Sequence, residues 1–298
     1  MANATDDRLK GRYSVAKSPP MRLLKGDITQ RFARFAAVRK TYSLFQFIQQ
    51  YYFSESHTFA LNTAETSIFD WSTLTQHNHN MHQVGISLGL RLPENMVAEI
   101  LDYALKMPCR EPGYDQHFYI SEIHDGHLPD GHSVMRALVT DSSGEACPAI
   151  NQLLRDPFLL KIVHDYLHYD PTTISWHLTW SIASPLPQDV IQKEYPPASF
   201  HYDIAGYNFM TSYFYITDVD EDSGPHVMIQ DSRTGKPLKM LISGGRQSDE
   251  VVMNHYGKDK EMVITGSRGF GFVQDPSCFH KVVPPKTAHR LLLQFRYS

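Results

Sequence analysis

The chain has 298 residues, of which 42% are hydrophobic, and a formal net charge of −4 at pH 7. This composition is enough for a sizeable core in one large or two modest domains. The sequence has no basic block and no apolar run of about 20 residues, so we expect neither a nucleic-acid partner nor a membrane span. Three widely spaced cysteines and a polar start without an apolar signal segment predict a cytoplasmic protein.

The first 20 residues are polar and end in Ser-Pro-Pro, which predicts a flexible tail. Residues 21–298 are expected to form a single domain. A helical part should extend to about residue 170, and a β-core should occupy about 172–298. Nothing in the sequence indicates a repeat or a low-complexity segment.

Three stretches of the first part carry helical signals. Residues 21–53 have an amphipathic stripe over much of their length. The segment 93–107 begins with a proline and ends before another, and 157–168 follows Asp156, a residue suited to an N-cap. The segment 77–82 has three histidines without regular spacing, and we predict a loop or the rim of a substrate pocket there.

After about residue 172 the pattern changes to short β-branched or aromatic runs separated by Gly, Pro, Asp and Ser. This pattern is typical of an all-β sandwich or barrel. The predicted strands lie in TISWHLTWSIASP, SFHYDI, MTSYFYITDV, PHVMIQDS, EMVITG, GFGFVQD, HKVVPP and HRLLLQFRYS.

The tripeptide His-Tyr-Asp occurs twice and raises the question of a metal site. The first copy, His168 to Asp170, comes at the end of a predicted helix, where residues two apart do not face each other. We therefore expect it to be structural. The second copy, His201 to Asp203, lies in a predicted strand, where residues two apart share one face. An imidazole and a carboxylate would then point the same way.

A metal site needs a third ligand, and His280 is the best candidate because it opens a predicted strand. Ten residues later Arg290 begins the last strand, RLLLQFRYS. Alternation puts Arg290 on the face opposite the Leu/Leu/Phe side chains that can pack in a core. A buried guanidinium there needs an anionic partner. Arg296 is on the same face but further from His280, and ranks second for this role.

The segments HYDIAGYNFMTSYFYITDVDEDSGP and GSRGFGFVQDPSCFHKVVPPKTAHRLLLQFRYS resemble the phytanoyl-CoA dioxygenase-like family of Fe(II)- and 2-oxoglutarate-dependent dioxygenases. The resemblance covers about residue 85 to the end. It implies a double-stranded β-helix (jelly-roll) core, mainly β with flanking helices. It also implies that His201, Asp203 and His280 bind Fe(II), that Arg290 binds 2-oxoglutarate, and that O2 is the second co-substrate.

Three further positions follow from the resemblance. Tyr213 aligns with an aromatic residue near 2-oxoglutarate in the family. Val282 replaces a small hydroxyl residue that the family often has two places after its distal His. Asp203 implies an oxygenase or oxidative desaturase, because related iron halogenases have Gly or Ala at that position.

The expected function is the oxidation of a small-molecule metabolite or natural-product intermediate, with release of succinate and CO2. A cupin-type metalloenzyme or metal-binding protein that uses no 2-oxoglutarate remains an alternative, as does an inactive relative that serves as an interaction module. The His/Thr/Ser face of SWHLTWSI is a candidate lining of the active site. A small-molecule partner is expected, and a homodimer is compatible with the sequence.

Overall fold

The fold was analysed in a computed structural model of the chain. The predicted tail at 1–20 falls outside the described residues apart from a two-residue strand, and so remains a prediction. The structure describes residues 14–15, 28–53, 67–140, 147–184, 191, 196–242 and 246–298.

Two antiparallel sheets form the centre of the molecule, and their strands include every strand predicted after residue 172. The large sheet has the order β2-β11-β7-β13-β5-β4-β3, with β1 pairing in parallel with β5, and the small sheet has the order β10-β8-β12-β6-β9. The strands are β1 (Ser14–Val15), β2 (Ile86–Arg91), β3 (Cys109–Arg110), β4 (Arg136–Val139), β5 (Thr173–Ser181), β6 (Phe200–His201), β7 (Met210–Tyr215), β8 (His226–Ile229), β9 (Arg246–Gln247), β10 (Glu261–Ile264), β11 (Phe270–Gln274), β12 (His280–Val282) and β13 (Arg290–Tyr297).

Helices cover the outer face of the large sheet. A hydrophobic cluster lies between the helices and this face of the sheet. It contains alternate residues of β13 (Leu291, Leu293 and Phe295) together with Ile100 and Phe158 from two helices. Such a mainly antiparallel core with flanking helices is the predicted jelly roll, so the predicted fold class is confirmed. The α-helices are α1 (Ala36–Phe53), α2 (Leu74–Val84), α3 (Glu94–Lys106), α4 (Pro148–Leu154), α5 (Pro157–Leu167), α6 (Leu238–Ile242) and α7 (Asp249–Tyr256).

The predicted helices α3 and α5 have the expected ends. Asp156 caps α5, since its carboxylate accepts hydrogen bonds from the backbone N–H of Phe158 (3.0 Å) and Leu159 (3.2 Å). The helix ends at His168, which has a left-handed φ of 65°. Both ends therefore follow from local sequence.

The inner face of the large sheet packs against the small sheet. Tyr213, Tyr215 and Leu292 from the large sheet form one buried cluster with Met228 and Ile264 from the small sheet. Because side chains alternate along a strand, the residues between those of the outer core point into this interior. The interior is where the strands bring polar side chains together.

The division into a helical part and a β-part is less clean than the sequence suggested. Strands β2 and β4 come from the predicted helical part and join the large sheet, while α6 and α7 lie in the predicted β-part. The prediction of a loop at 77–82 is wrong, because these residues lie on α2, while the alternative of a pocket rim stays a prediction. The helix was missed because its histidines do not form an apolar stripe in the sequence, yet His77 is buried against α5.

Candidate metal centre

The second His-Tyr-Asp copy lies at the end of β6, and the strand register brings it to His280. His201 and His280 are directly opposite each other in the β6–β12 pair. Asp203 follows two residues later, and its backbone N–H donates to the carbonyl oxygen of Pro276 at 2.8 Å. One ligand-type atom from each of His201, Asp203 and His280 lies within 4.8 Å of the others. The structure thus brings together the three residues predicted as metal ligands.

Both imidazoles are oriented by their own backbone. The Nδ1 of His201 lies 2.9 Å from the carbonyl oxygen of Ser199, and the Nδ1 of His280 lies 2.9 Å from that of Cys278. A carbonyl only accepts, so Nδ1 must carry the proton in each ring. The lone pair is then on Nε2, the atom that faces Asp203 in both residues. This is the tautomer that binds a metal through Nε2.

The carboxylate of Asp203 has positive or polarised neighbours but no hydrogen bond from them. Its oxygens lie 4.0 Å from Nε2 of His201, 3.9 Å from Nε2 of His280 and 3.9 Å from Nη2 of Arg296. Burial alone would raise the pKa of Asp203, but His280, His201 and Arg296 outweigh it and lower the pKa. Asp203 is therefore ionised at neutral pH.

His280 is kept neutral by its surroundings. Burial, and then the neighbouring His201, lower the pKa of His280 to about 4, although Asp203 acts in the opposite direction. A neutral imidazole has the lone pair that a metal ligand needs. One carboxylate and two imidazoles, with ligand atoms within 4.8 Å of one another, form a donor set that fits a divalent metal of the non-haem iron type.

Arg290 is buried at the first position of β13. Its Nη1 donates to the carbonyl oxygen of Gly224, and its Nη2 donates to Oγ of Ser181 at 2.9 Å. Its Nε is buried without a hydrogen-bond partner. No carboxylate among the described residues lies within 4.0 Å of this guanidinium, so its charge can pair with an anionic ligand.

Tyr213 lies on the inner face, as its predicted role requires. Its ring stacks on Phe272 with centroids 4.9 Å apart, and its hydroxyl accepts a hydrogen bond of 3.3 Å from Nε2 of Gln294. Burial, and then Asp203, raise the pKa of Tyr213, so the phenol keeps its proton. The hydroxyl can therefore donate to an anion in the interior.

Sequence reasoning missed two polar residues of the interior. His226 is buried, its ring stacks on that of His280 with centroids 5.4 Å apart, and its Nε2 has no hydrogen-bond partner. Burial is the main cause that lowers the pKa of His226 well below its usual value. The amide of Gln274 also lacks hydrogen bonds. Strand alternation could have found Gln274, because it shares a face with Phe272.

The first His-Tyr-Asp copy is structural in its contacts, in agreement with its expected role. Asp170 accepts from Nδ1 of His164 at 2.7 Å, and its backbone N–H donates to the side chain of Gln50. His168 ends α5 and stacks on His82. Its two potential ligands thus make separate contacts.

The remaining predicted positions fall as follows. Val282, which stands where the family often has a small hydroxyl residue, packs against the apolar cluster around Met135. A hydroxyl reaches Arg290 from β5 instead, through Ser181, which belongs to the His/Thr/Ser face named as a candidate lining. The second-ranked Arg296 lies beside Asp203, at the opposite end of β13 from Arg290.

No protein-family model and no curated protein sequence matches the chain. Solved structures do resemble it. The non-haem α-ketoglutarate-dependent epimerase SnoN from nogalamycin biosynthesis has a TM-score of 0.50 and 13% identity, over 77% of this chain and 84% of SnoN. SnoN in complex with Fe3+, α-ketoglutarate and nogalamycin RO also gives 0.50 and 13%, over 76% and 84%. HygX from Streptomyces hygroscopicus, with nickel and 2-oxoglutarate bound, gives 0.49 and 15%, over 75% and 86%.

At these identities the likeness shows the fold. The chain therefore shares a jelly-roll fold with SnoN. The three possible metal ligands His201, Asp203 and His280 are an observation on this chain and do not depend on the similar structures. Among the described residues, no helix is both long and apolar enough to cross a membrane.

Proposed function

We propose that the protein is an Fe(II)- and 2-oxoglutarate-dependent oxygenase that oxidises a small molecule and releases succinate and CO2. Within this class we assign it to the phytanoyl-CoA dioxygenase-like family, on the resemblance of the His201 and His280 segments. The structural neighbours support the class through their fold, and the donor set supports it through its chemistry. Bound iron and 2-oxoglutarate would supply the oxidising chemistry.

The carrying observation is the orientation of the two imidazoles. Each Nδ1 proton is held by a carbonyl two residues earlier, so both Nε2 lone pairs point at the space beside Asp203. The Nε2 atoms of the two histidines and the carboxylate of Asp203 converge, and they have no hydrogen-bond partner among the described residues. Packing alone does not explain such an arrangement. His201, Asp203 and His280 would hold the iron ion.

Arg290 would hold the distal carboxylate of 2-oxoglutarate. Its guanidinium is buried, has an unpartnered Nε, and already makes a hydrogen bond with Ser181 that fixes its orientation. A bidentate pair with a carboxylate would satisfy the buried cation. Tyr213 would donate its hydroxyl proton to an oxygen of the same ligand from the neighbouring strand.

The test is anaerobic addition of Fe(II) and then 2-oxoglutarate to metal-free protein, followed by visible absorption. Wild type should show a weak charge-transfer band that is lost or much weakened in Arg290→Ala. The control is His168→Ala, which alters the structural His-Tyr-Asp copy and should keep the band. Bound iron without a band in wild type would contradict the use of 2-oxoglutarate.

That negative result would favour a cupin-type metalloenzyme without 2-oxoglutarate, which shares the jelly-roll fold and the metal. In such a protein Arg290→Ala should change metal affinity and activity little. The buried Arg290 has no carboxylate partner within 4.0 Å among the described residues. It favours the oxygenase, because 2-oxoglutarate would supply the anionic partner that a cupin of this kind does not bind.

A further inference from the structure

The inner face of the large sheet has a second arginine, Arg136, that the proposed reaction does not use. Arg136 on β4 lies directly opposite Ser181 on β5, and Ser181 lies directly opposite Arg290 on β13. Side chains paired across neighbouring strands point to the same face. Because Ser181 meets Arg290 in the interior, Arg136 faces the interior as well.

Arg296 lies at the other end of the same face. It is six residues after Arg290 on β13, an even spacing that keeps both on one side of the strand. Its guanidinium lies 3.9 Å from Asp203 and 5.3 Å from the ring centre of Phe209, and its Nε is buried without a hydrogen-bond partner. Arg296 is therefore next to the candidate metal centre.

His177 links the two arginines. It lies on β5 between the rows of Arg136 and Arg296, opposite Gln294. Burial, and then the positive charges of Arg296 and Arg136, lower the pKa of His177 to about 4. Both guanidiniums thus lie within electrostatic reach of one imidazole. At neutral pH His177 is uncharged and can hydrogen-bond a ligand.

Little negative charge opposes these cations. Among the described residues Arg136 has no ion pair, and Asp203 is the one carboxylate within 4.0 Å of Arg296. Glu111 lies near the start of β4, but its oxygens accept from Nε2 of His132 at 2.8 Å and from the backbone N–H of Met135 and Arg136 at 2.9 and 3.0 Å. These bonds direct its carboxylate to His132 and to the backbone of β4, and it makes no ion pair with the guanidinium of Arg136.

The charges of the proposed reactants do not change this result. Fe(II) and 2-oxoglutarate carry opposite double charges, and Asp203 and Arg290 carry opposite single charges. The four groups together are neutral, so within 4.0 Å no further carboxylate among the described residues balances the charges of Arg136 and Arg296. A partly buried guanidinium is best satisfied by an oxyanion that accepts two parallel hydrogen bonds.

We propose that the substrate is a small molecule with an oxyanion group, a carboxylate, sulfate or phosphate, and that Arg136 and Arg296 bind this group beside the metal ion. His177 adds a neutral hydrogen bond. This substrate class rests on the oxygenase function proposed above. No basic cluster is visible in the sequence, because the two arginines are separated by 160 positions and share a face only through strand register.

The experiment uses inorganic phosphate as the probe. Protein loaded with Mn(II) and saturated with 2-oxoglutarate is titrated with phosphate, and the ³¹P relaxation rate is measured against a Zn(II)-loaded sample. Wild type should show a saturable paramagnetic enhancement, because the phosphate lies near the metal ion. Arg136→Gln should lower the enhancement at least fivefold. Arg268→Gln is the matched control, since Arg268 is a surface arginine paired with Glu94.

Competition defines the chemistry of the group. Propionate should displace phosphate, whereas propionamide, which has nearly the same shape without the charge, should not. A carboxylate site would bind propionate more tightly than phosphate, and a phosphate site would bind it more weakly. No enhancement in wild type, equal enhancement in Arg136→Gln, or equal competition by propionamide would each overturn the proposal.

Two checks separate this result from other failures. Circular dichroism and 2-oxoglutarate affinity should be the same in Arg136→Gln and wild type, and Arg136→Met replaces that variant if it does not fold. The charge-transfer band reports on 2-oxoglutarate separately. If the band is absent, the oxygenase function fails, while loss of phosphate relaxation in Arg136→Gln without 2-oxoglutarate still reports on the arginine pair.

Discussion

The two sheets present opposite chemistry to the interior that they share. The small sheet, with the loop after β6, contributes lone pairs and a carboxylate from His201, His280 and Asp203. The large sheet contributes donors and positive charge, from Arg290 and Arg296 on β13 and Arg136 on β4. The small sheet and the loop after β6 hold the candidate metal ligands, and the large sheet holds the groups that suit anions.

The sheets also differ in how they fix their side chains. On the small sheet, His201 and His280 are each fixed by a hydrogen bond to a carbonyl two residues earlier. On the large sheet, the arginine row is set by strand register, with buried atoms left without partners. The candidate metal ligands are thus oriented by their own backbone, whereas Nε of Arg290 and of Arg296 has no hydrogen-bond partner among the described residues.

The largest expected effect comes from removing a ligand of the small sheet. His280→Ala should weaken Co(II) binding more than about 100-fold, because loss of an outer hydrogen-bond partner alone costs about 10- to 100-fold. Anaerobic Co(II) titration by visible absorption measures it. His79→Ala, an exposed histidine on α2, is the control and should bind as wild type does. Similar affinities in the two variants would remove His280 from the metal centre.

The next effect tests, through pH, how far burial and the neighbouring arginines of the large sheet lower the pKa of His177. His177 has a folded pKa of about 4, against about 6.5 when unfolded, so the unfolded chain binds more protons between these values. Stability should therefore fall as the pH drops from 6.5 towards 4. His177→Gln should remove about 2 kcal/mol of that loss between pH 7 and pH 4.5.

Urea unfolding of metal-free protein at the two pH values measures this difference. His255→Gln, an exposed histidine on α7, is the control and should keep the wild-type pH dependence. An unchanged dependence in His177→Gln would show that burial and the two arginines together do not lower the pKa of this imidazole.

A smaller effect should come from the support of the small sheet. Tyr166 donates to the carboxylate of Asp275 at 2.5 Å, and Asp275 begins a turn whose carbonyls at Pro276 and Cys278 hold Asp203 and His280. Tyr166→Phe removes one hydrogen bond to a buried carboxylate. It should cost about 1–3 kcal/mol of stability and weaken Co(II) binding about tenfold.

Thermal unfolding and Co(II) titration together measure that effect. Tyr256→Phe is the matched control, because the buried hydroxyl of Tyr256 makes no hydrogen bond in the described part of the chain. A loss of stability with unchanged Co(II) affinity would mean that the turn does not position the ligands.

The sequence predicted those parts of the site that depend on local pattern. The i, i+2 alternation put His201 and Asp203 on one face, and family spacing indicated His280 and Arg290. The structure brings the three ligands together. What alternation cannot supply is the register between strands far apart in the chain, and the row of Arg136, Ser181 and Arg290 depends on it.

Two other features were beyond sequence patterns for different reasons. Helix α2 has a polar sequence, LTQHNHNMHQV, so its helical state depends on tertiary contacts such as the hydrogen bond of 2.8 Å between His77 and Ser87. The Tyr166–Asp275 contact joins a helix to a turn 109 residues away. Neither contact leaves a periodic signal.

The direct pairing of His201 and His280 has a consequence for the order of events in folding. The two histidines meet only when β6 and β12 have paired, which requires closure of a long loop. An isolated early segment offers at most the adjacent His201 and Asp203, so a metal ion cannot guide the first steps. A metal ion would bind to the finished ladder and would stabilise it by about 2.7 kcal/mol at a free concentration of 100 times its Kd.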